Sequence, residues 1–299
     1  MCDKGSRLDG KTAIVTGGSS GLGYETAKNL ALRGATVIIA SRNETKLIRA
    51  RDQIQKITNN KLVSYRVIDL ASLKSVRSFA VNTVNTQEQL DILINNAGAL
   101  GLPDRVTEDG LNLTMQVNYF GAFLLTYILL PLLKNSAPSR IINSSASSMY
   151  IGHIDFDHWN DVGRYNSIEV LANSKLAVAL FTAELDNRFR DTGVTAYSFD
   201  PFIVRDTDIL NNLPELYKNV SRLFVDMVGQ PKQGVGKQIA SLAANPNLEM
   251  ESGQHYKFCR KWINHWLVSD RELTETLWNI SKSVVNITPE EDWELNSVT

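Results

Sequence analysis

Several things are scarce in this 299-residue sequence. It has two cysteines, Cys2 and Cys259. So few cannot make a disulfide framework or a cysteine-rich zinc site, and the usage fits a reducing, cytoplasmic setting. Its four histidines, His153, His158, His255 and His265, stand at no metal-ligand spacing with cysteine or carboxylate, so no metal is expected. Charge of one sign is not in excess: 31 basic residues face 32 acidic ones. A basic footprint is therefore missing, and no nucleic-acid partner is expected. The N-terminal stretch MCDKGSRLDGK lacks the apolar core of a secretory signal. The longest apolar stretch, Phe120 to Leu133, is broken by Gly121, Thr126 and Pro131. It falls short of the ~20 apolar residues of a membrane helix, so no membrane span is expected. Repeats and linker-like composition shifts are also missing. One domain is expected over 11–287, after an arm at 1–10 and before an acidic tail at 288–299 that is expected to fray.

What is present is a rhythm. Apolar residues make up 43% of the chain, enough for a sizeable core. Short apolar runs read as strands at Thr12 to Thr16, Thr36 to Ala40, Leu62 to Ile68, Asp91 to Ile94, Arg140 to Asn143 and Val194 to Phe199. Helical patterns lie between them, notably Leu113 to Lys134 and Val170 to Arg190. Alternating strands and helices predict an α/β fold, a doubly wound parallel sheet of Rossmann type. Continuous rather than alternating apolar strands say that both sheet faces are covered. After Pro201 the rhythm breaks into an expected lid, 203–231, with its own amphipathic helix. A last helix is expected over Ser269 to Val284, with Ser269 and Glu272 as a capping box.

The first strand runs into TGGSSGLG at 16–23. Glycines at a strand–turn–helix junction let backbone approach a pyrophosphate, and the helix N-terminus offers unpaired N–H groups. Gly17, Ser19, Ser20, Gly21, Leu22 and Gly23 are the expected cradle. Arg42 ends the second strand, 19 residues beyond Gly23. An acidic residue there would bind the ribose hydroxyl of NAD; an arginine suits the 2′-phosphate of NADP. NADP is therefore expected over NAD.

Further motifs carry a resemblance over roughly residues 8–285. TGGSSGLG, Asn95-Asn96-Ala97-Gly98 after the fourth strand, Asp69-Leu70 after the third, Asn118 in QVNYFGAFLLT and SKLA at 174–177 resemble the short-chain dehydrogenase/reductase family. GHIDFD at 152–157 and the run at 184–189 look most like its retinol-dehydrogenase-like subgroup. The resemblance implies an oxidoreductase acting on a lipophilic alcohol or carbonyl. It also implies cofactor contacts at Asp69, Leu70, Asn95, Ala97, Gly98, Lys175 and Pro201, and a homo-oligomer built on helices near 113–134 and 165–190.

The family's catalysis uses a serine, a tyrosine and a lysine. The tyrosine moves the proton, the lysine lowers its pKa and holds the ribose, and the serine orients the carbonyl. Lys175 matches the lysine, and Asn118 the asparagine of the proton relay. One helical turn before Lys175, where the tyrosine belongs, stands Leu171; the serine position falls on Ala146. Phe202 follows Pro201 where the family has glycine. Two readings follow: a cofactor-binding pseudoenzyme or interaction module, or a site adapted either to a different, non-redox reaction or to another hydroxyl as acid, Tyr150, Ser145 or Ser147, with Tyr165 the second tyrosine close in sequence. The five tryptophans, Trp159, Trp262, Trp266, Trp278 and Trp293, read as packing residues.

Overall fold

The computed structural model describes residues 6–205, 225, 227–248 and 251–296. Eight strands form one sheet in the order β8-β7-β6-β5-β4-β1-β2-β3. They are β1 Thr12–Thr16, β2 Thr36–Ser41, β3 Val63–Val67, β4 Ile92–Asn95, β5 Ser139–Ser144, β6 Val194–Asp200, β7 His255–Lys257 and β8 Arg260–Trp262. All neighbours are parallel except the β7–β8 hairpin. The strand order reverses between β1 and β4, the place where a doubly wound sheet opens a ligand crevice. The expected α/β architecture is thus the observed one, with two more strands at its edge.

Helices cover both faces. On one side lie α1 Gly21–Leu32, α2 Glu44–Thr58 and α6 Lys232–Ala244; their buried Leu30, Leu47, Ile54 and Ile239 pack on Val15, Val37 and Ile94. On the other lie α3 Leu73–Thr86, α4 Leu113–Asn135, α5 Ser167–Phe189 and α7 Arg271–Val284, around Phe123, Leu180, Phe181 and Trp278. Strands such as TAIVT are buried at every position because both faces meet helices.

Several expectations need correcting. Helix α4 runs where the helical pattern placed it, but its 23 residues would suffice to cross a membrane by length and composition; it is mostly buried here, as in a core helix. It contains a π turn at Gln116–Phe120. Helix α7 begins at Arg271, and its N-cap is Asp270, whose carboxylate accepts from the Leu273 N–H; Ser269 closes a preceding 3-10 turn instead. The acidic tail is pinned rather than frayed over its described part, 288–296. Glu291 pairs with Arg77, Asp292 with Lys282 and Tyr127, and Glu294 with Arg188 and Lys282. Trp262 and Trp266 are exposed, unlike the buried Trp159 and Trp278. Cys259 is disulfide-bonded, against the reading of the cysteine content. Most of the expected lid, 206–224, lies outside the described residues; its ends form a two-residue ladder, Val204–Arg205 with Gln230–Pro231.

Candidate active site

At Gly17, Gly18 and Gly23 the turn leaves no room for a side chain. A Cβ on Gly23 would run into the Gly17 carbonyl and stand 2.6 Å from the Asn96 amide nitrogen. Gly17 has φ +69° and Gly21 φ +54°, conformations that glycine adopts without penalty. Thr16 Oγ1 accepts from the N–H groups of Asn96 (3.0 Å) and Ala97 (3.1 Å), tying this turn to the loop after β4. Helix α1 starts at Ser20 without a side-chain cap, whereas α2, α3, α5 and α7 are capped by Asn43, Ser72, Asn166 and Asp270. Its first N–H groups are left for an anion. Ser19 and Ser41 share a hydrogen bond of 3.0 Å across the β1 and β2 ends, and exposed Arg42 follows immediately. The glycine turn and the first N–H groups of α1 would hold a dinucleotide's pyrophosphate, and Arg42 would face its adenosine half.

Not every expected cofactor residue faces that crevice. Asn95 is turned inward and donates to Thr126 and Asn143, both at 2.8 Å, so its side chain is a strut between β4, β5 and α4. Leu70 is buried in the core against Gly121. Asp69, half-buried, accepts from the Ala71 N–H at 3.0 Å and shapes the turn after β3. Ala97 and Gly98 do line the loop over the crevice. A Cβ on Gly98 would sit 3.2 Å from Lys175 Nζ and 3.3 Å from Asn118 Oδ1.

Lys175 and Asn118 thus meet beneath Gly98. The Lys175 ammonium donates to the Ser144 carbonyl at 2.8 Å. Full burial pushes its pKa down to about 8, partly opposed by the Asp200 carboxylate. The π turn at 116–120 aims Asn118 at the loop after β4: its Oδ1 accepts from the Ala99 N–H (2.8 Å), and its amide donates to the Ala99 carbonyl (3.0 Å).

The places expected for the tyrosine and the serine hold apolar residues. Leu171 sits half-buried one turn before Lys175 on α5, and Ala146 holds an extended conformation beyond β5. The named substitutes are committed elsewhere. Ser145 is buried and donates to the Lys175 backbone carbonyl at 2.9 Å. The Tyr150 hydroxyl donates to the Ile263 carbonyl, and burial, then Asp200, raises its pKa. Tyr165 donates to Asp155 at 2.9 Å and lies outside α5, which begins at Ser167. Ser147 donates to Asp200 and accepts from Lys257 at 2.7 Å.

That last contact shows what sequence reasoning missed. Asp200 and Lys257 are cross-strand neighbours on β6 and β7 and form an ion pair of 3.0 Å, with side chains 2% and 7% exposed. The one signal in the sequence was a charge, Asp200, closing an otherwise uncharged strand before Pro201. Phe202, with φ +57°, donates its N–H to Asp200 at 2.6 Å, and its ring lies 4.4 Å from Lys257 Nζ.

A parallel sheet with this crevice, glycine turn and buried lysine–asparagine pair defines a nicotinamide-dependent oxidoreductase fold. The short chain dehydrogenase family model matches residues 11–218, and the chain belongs to that family. Among its relatives, human retinol dehydrogenase 13 is 46% identical over 96% of this chain and 88% of its own length. Human retinol dehydrogenase 12 is 38% identical over 96% and 90%. An uncharacterized protein from Mycobacterium paratuberculosis of known crystal structure superposes with a TM-score of 0.76 at 27% identity, covering 96% of this chain and 97% of that one.

Proposed function

We propose that this chain binds NADP(H) and a lipophilic ligand but does not perform the tyrosine-dependent proton transfer of the family. The observation that carries the reading is Leu171 on the turn before Lys175, with the hydroxyls of Tyr150 and Tyr165 held at Ile263 and Asp155. When bound, the nicotinamide supplies or takes a hydride. Hydride transfer at a carbonyl also needs a proton at its oxygen. Leu171 and Ala146 have none to give, and losing a positioned acid costs about 10²–10⁴ in rate. Lys175 remains able to hold the ribose, beside Asn118, which fixes the loop after β4. Arg42 supports NADP(H) over NAD(H), since a guanidinium pairs with a phosphate. Relatives named retinol dehydrogenases support a lipophilic ligand, as does the exposed aromatic rim of Phe202, Phe258 and Trp262.

The test is NADPH titration by nicotinamide fluorescence, followed by its oxidation against medium-chain aldehydes and retinaldehyde. NADPH should bind without measurable turnover. Leu171→Tyr combined with Ala146→Ser should raise the rate by about 100-fold or more. Turnover by the unaltered chain at rates the double variant does not improve would overturn the reading.

A further inference from the structure

Among the described residues, six that are not glycine have positive φ: Asn59, Asp191, Phe202, Phe258, Cys259 and Asn286. Asn and Asp tolerate the left-handed region; a phenylalanine does not do so readily. Phe258 and Cys259 form the two-residue turn of the β7–β8 hairpin, at φ +52° and +57°. Such a turn favours Asn-Gly or Asp-Gly. Phe258 therefore contributes nothing to the turn that a smaller residue would not do better. Among the described residues, the only phenylalanines held in this strained region are the two whose rings face Lys257, at 4.4 Å (Phe202) and 5.4 Å (Phe258) from its ammonium. Trp262 adds a third ring at 5.6 Å. Strain of this kind persists where the surroundings enforce it, and it gathers at ligand sites.

The charges point the same way. Lys257 is buried and has Asp200 and Ser147 as partners. Arg260 stands directly opposite Lys257 in the hairpin ladder, exposed and in no ion pair among the described residues. Like charges across a ladder repel. Two cations here face one carboxylate, Asp200. The three rings keep 38%, 39% and 42% of their residue surface exposed, so an apolar chain can lie on them. Ser147 links this cluster to Ala146 and hence to the candidate active site.

We propose that Lys257, Arg260 and the rings of Phe202, Phe258 and Trp262 bind a long-chain carboxylate, its head on the two cations and its chain on the rings. This rests on the reading that the site holds a lipophilic ligand without turning it over, and it names the class of that ligand. A carboxylate suits such a site, because its carbon is a poor hydride acceptor and needs no acid at 146 or 171.

The full chain is titrated calorimetrically with laurate below its micellar concentration, then with dodecanol and dodecyltrimethylammonium. Laurate should bind at least tenfold more tightly than dodecanol, and the cationic amphiphile more weakly still. Phe258→Asn separates binding from folding. It places a residue suited to the turn and removes one ring, so it should raise the Tm while weakening laurate about fivefold. A ring that served only packing would not give that pair of changes. Lys257→Met and Arg260→Met, made together with Asp200→Asn to avoid an unpaired buried carboxylate, should erase the preference for laurate over dodecanol. Equal affinity for laurate and dodecanol, or unchanged laurate affinity in Phe258→Asn, overturns the proposal. NADPH is titrated into the same samples. NADPH binding without laurate affinity removes this inference and leaves the cofactor reading. Laurate affinity without NADPH binding does the reverse.

Discussion

At one end of the crevice, between β1 and α1, the chain offers a ligand mostly backbone. Glycines clear the space, an uncapped helix supplies N–H groups, and one arginine waits at the rim. At the other end, beyond β5, β6 and β7, it presents side chains. A buried ion pair, a serine shared between its partners and two strained phenylalanines occupy the ground beside an apolar pair, Ala146 and Leu171. The first end is constrained by shape, and shape leaves little choice of residue. The second is constrained by chemistry, and chemistry can be replaced so long as buried charges keep partners. On the proposed reading, the fold keeps its glycine turn while Leu171 and Ala146 stand where the acid–base pair is expected.

Forcing a side chain into the shape-limited end should have the largest effect. In Gly23→Val the added carbons meet the Gly17 carbonyl and the Asn96 amide, both of which belong to the tied turn itself. NADPH affinity should fall by about 100-fold or more, equivalent to about 2.7 kcal/mol, and overpacking should cost a further 1–3 kcal/mol of stability, roughly. Fluorescence titration and urea unfolding measure the two. A variant that still bound NADPH as before would mean that the turn is not the cradle, and the contrast between the two ends would collapse.

At the chemical end, what matters is the pairing rather than the residue. Asp200→Asn leaves the Lys257 ammonium buried without its carboxylate, which should cost about 3–5 kcal/mol. Removing both charges, in Asp200→Asn with Lys257→Met, should recover most of that loss. Urea unfolding of the single and double variants closes a double-mutant cycle. A double variant as unstable as the single would show that Asp200 serves something other than Lys257, its bonds to Ser147 and the Phe202 N–H being the next candidates.

This difference explains what could be read from the sequence. The strands of the cofactor half were legible because TAIVT and TVIIA are continuous apolar runs, and the turn between them because its glycines stand where a Cβ has no room. Lys175 and Asn118 were legible through short motifs, and the structure brings them together under Gly98. The Asp200–Lys257–Ser147 cluster was not. Its members are 53 and 110 positions apart, and only the β6–β7 register makes them neighbours. Asn95 misled because a motif fixes the place of a residue without fixing which way its side chain turns; here Thr126 and Asn143 claim it. The tail misled for a related reason. Its acidity looked like solvation, yet Arg77, Arg188 and Lys282 answer Glu291, Asp292 and Glu294. Even the start of α7 turned on a shift of one position, from Ser269 to Asp270.

The smallest effect expected is one of pH, and it probes the same polar end from below. His255 is fully buried on β7, with Nδ1 2.8 Å from Ser198 Oγ. Burial, reinforced by Lys257 and partly opposed by Asp200, pushes its pKa down to about 4 from 6.5. Between those values the unfolded chain takes up a proton that the native chain refuses. Stability from this group is therefore full above pH 6.5 and lost as pH falls toward 4. The whole loss is about 3 kcal/mol at most. His255→Gln keeps an acceptor for Ser198 and has nothing to titrate. The variant's urea stability between pH 6.5 and 4 should then fall less steeply than that of the unaltered chain, by about one proton's worth of slope. Identical slopes would mean that His255 takes its proton without unfolding the protein. The charged end would then be open to water, and the Asp200–Lys257 pair would count for less than its burial implies.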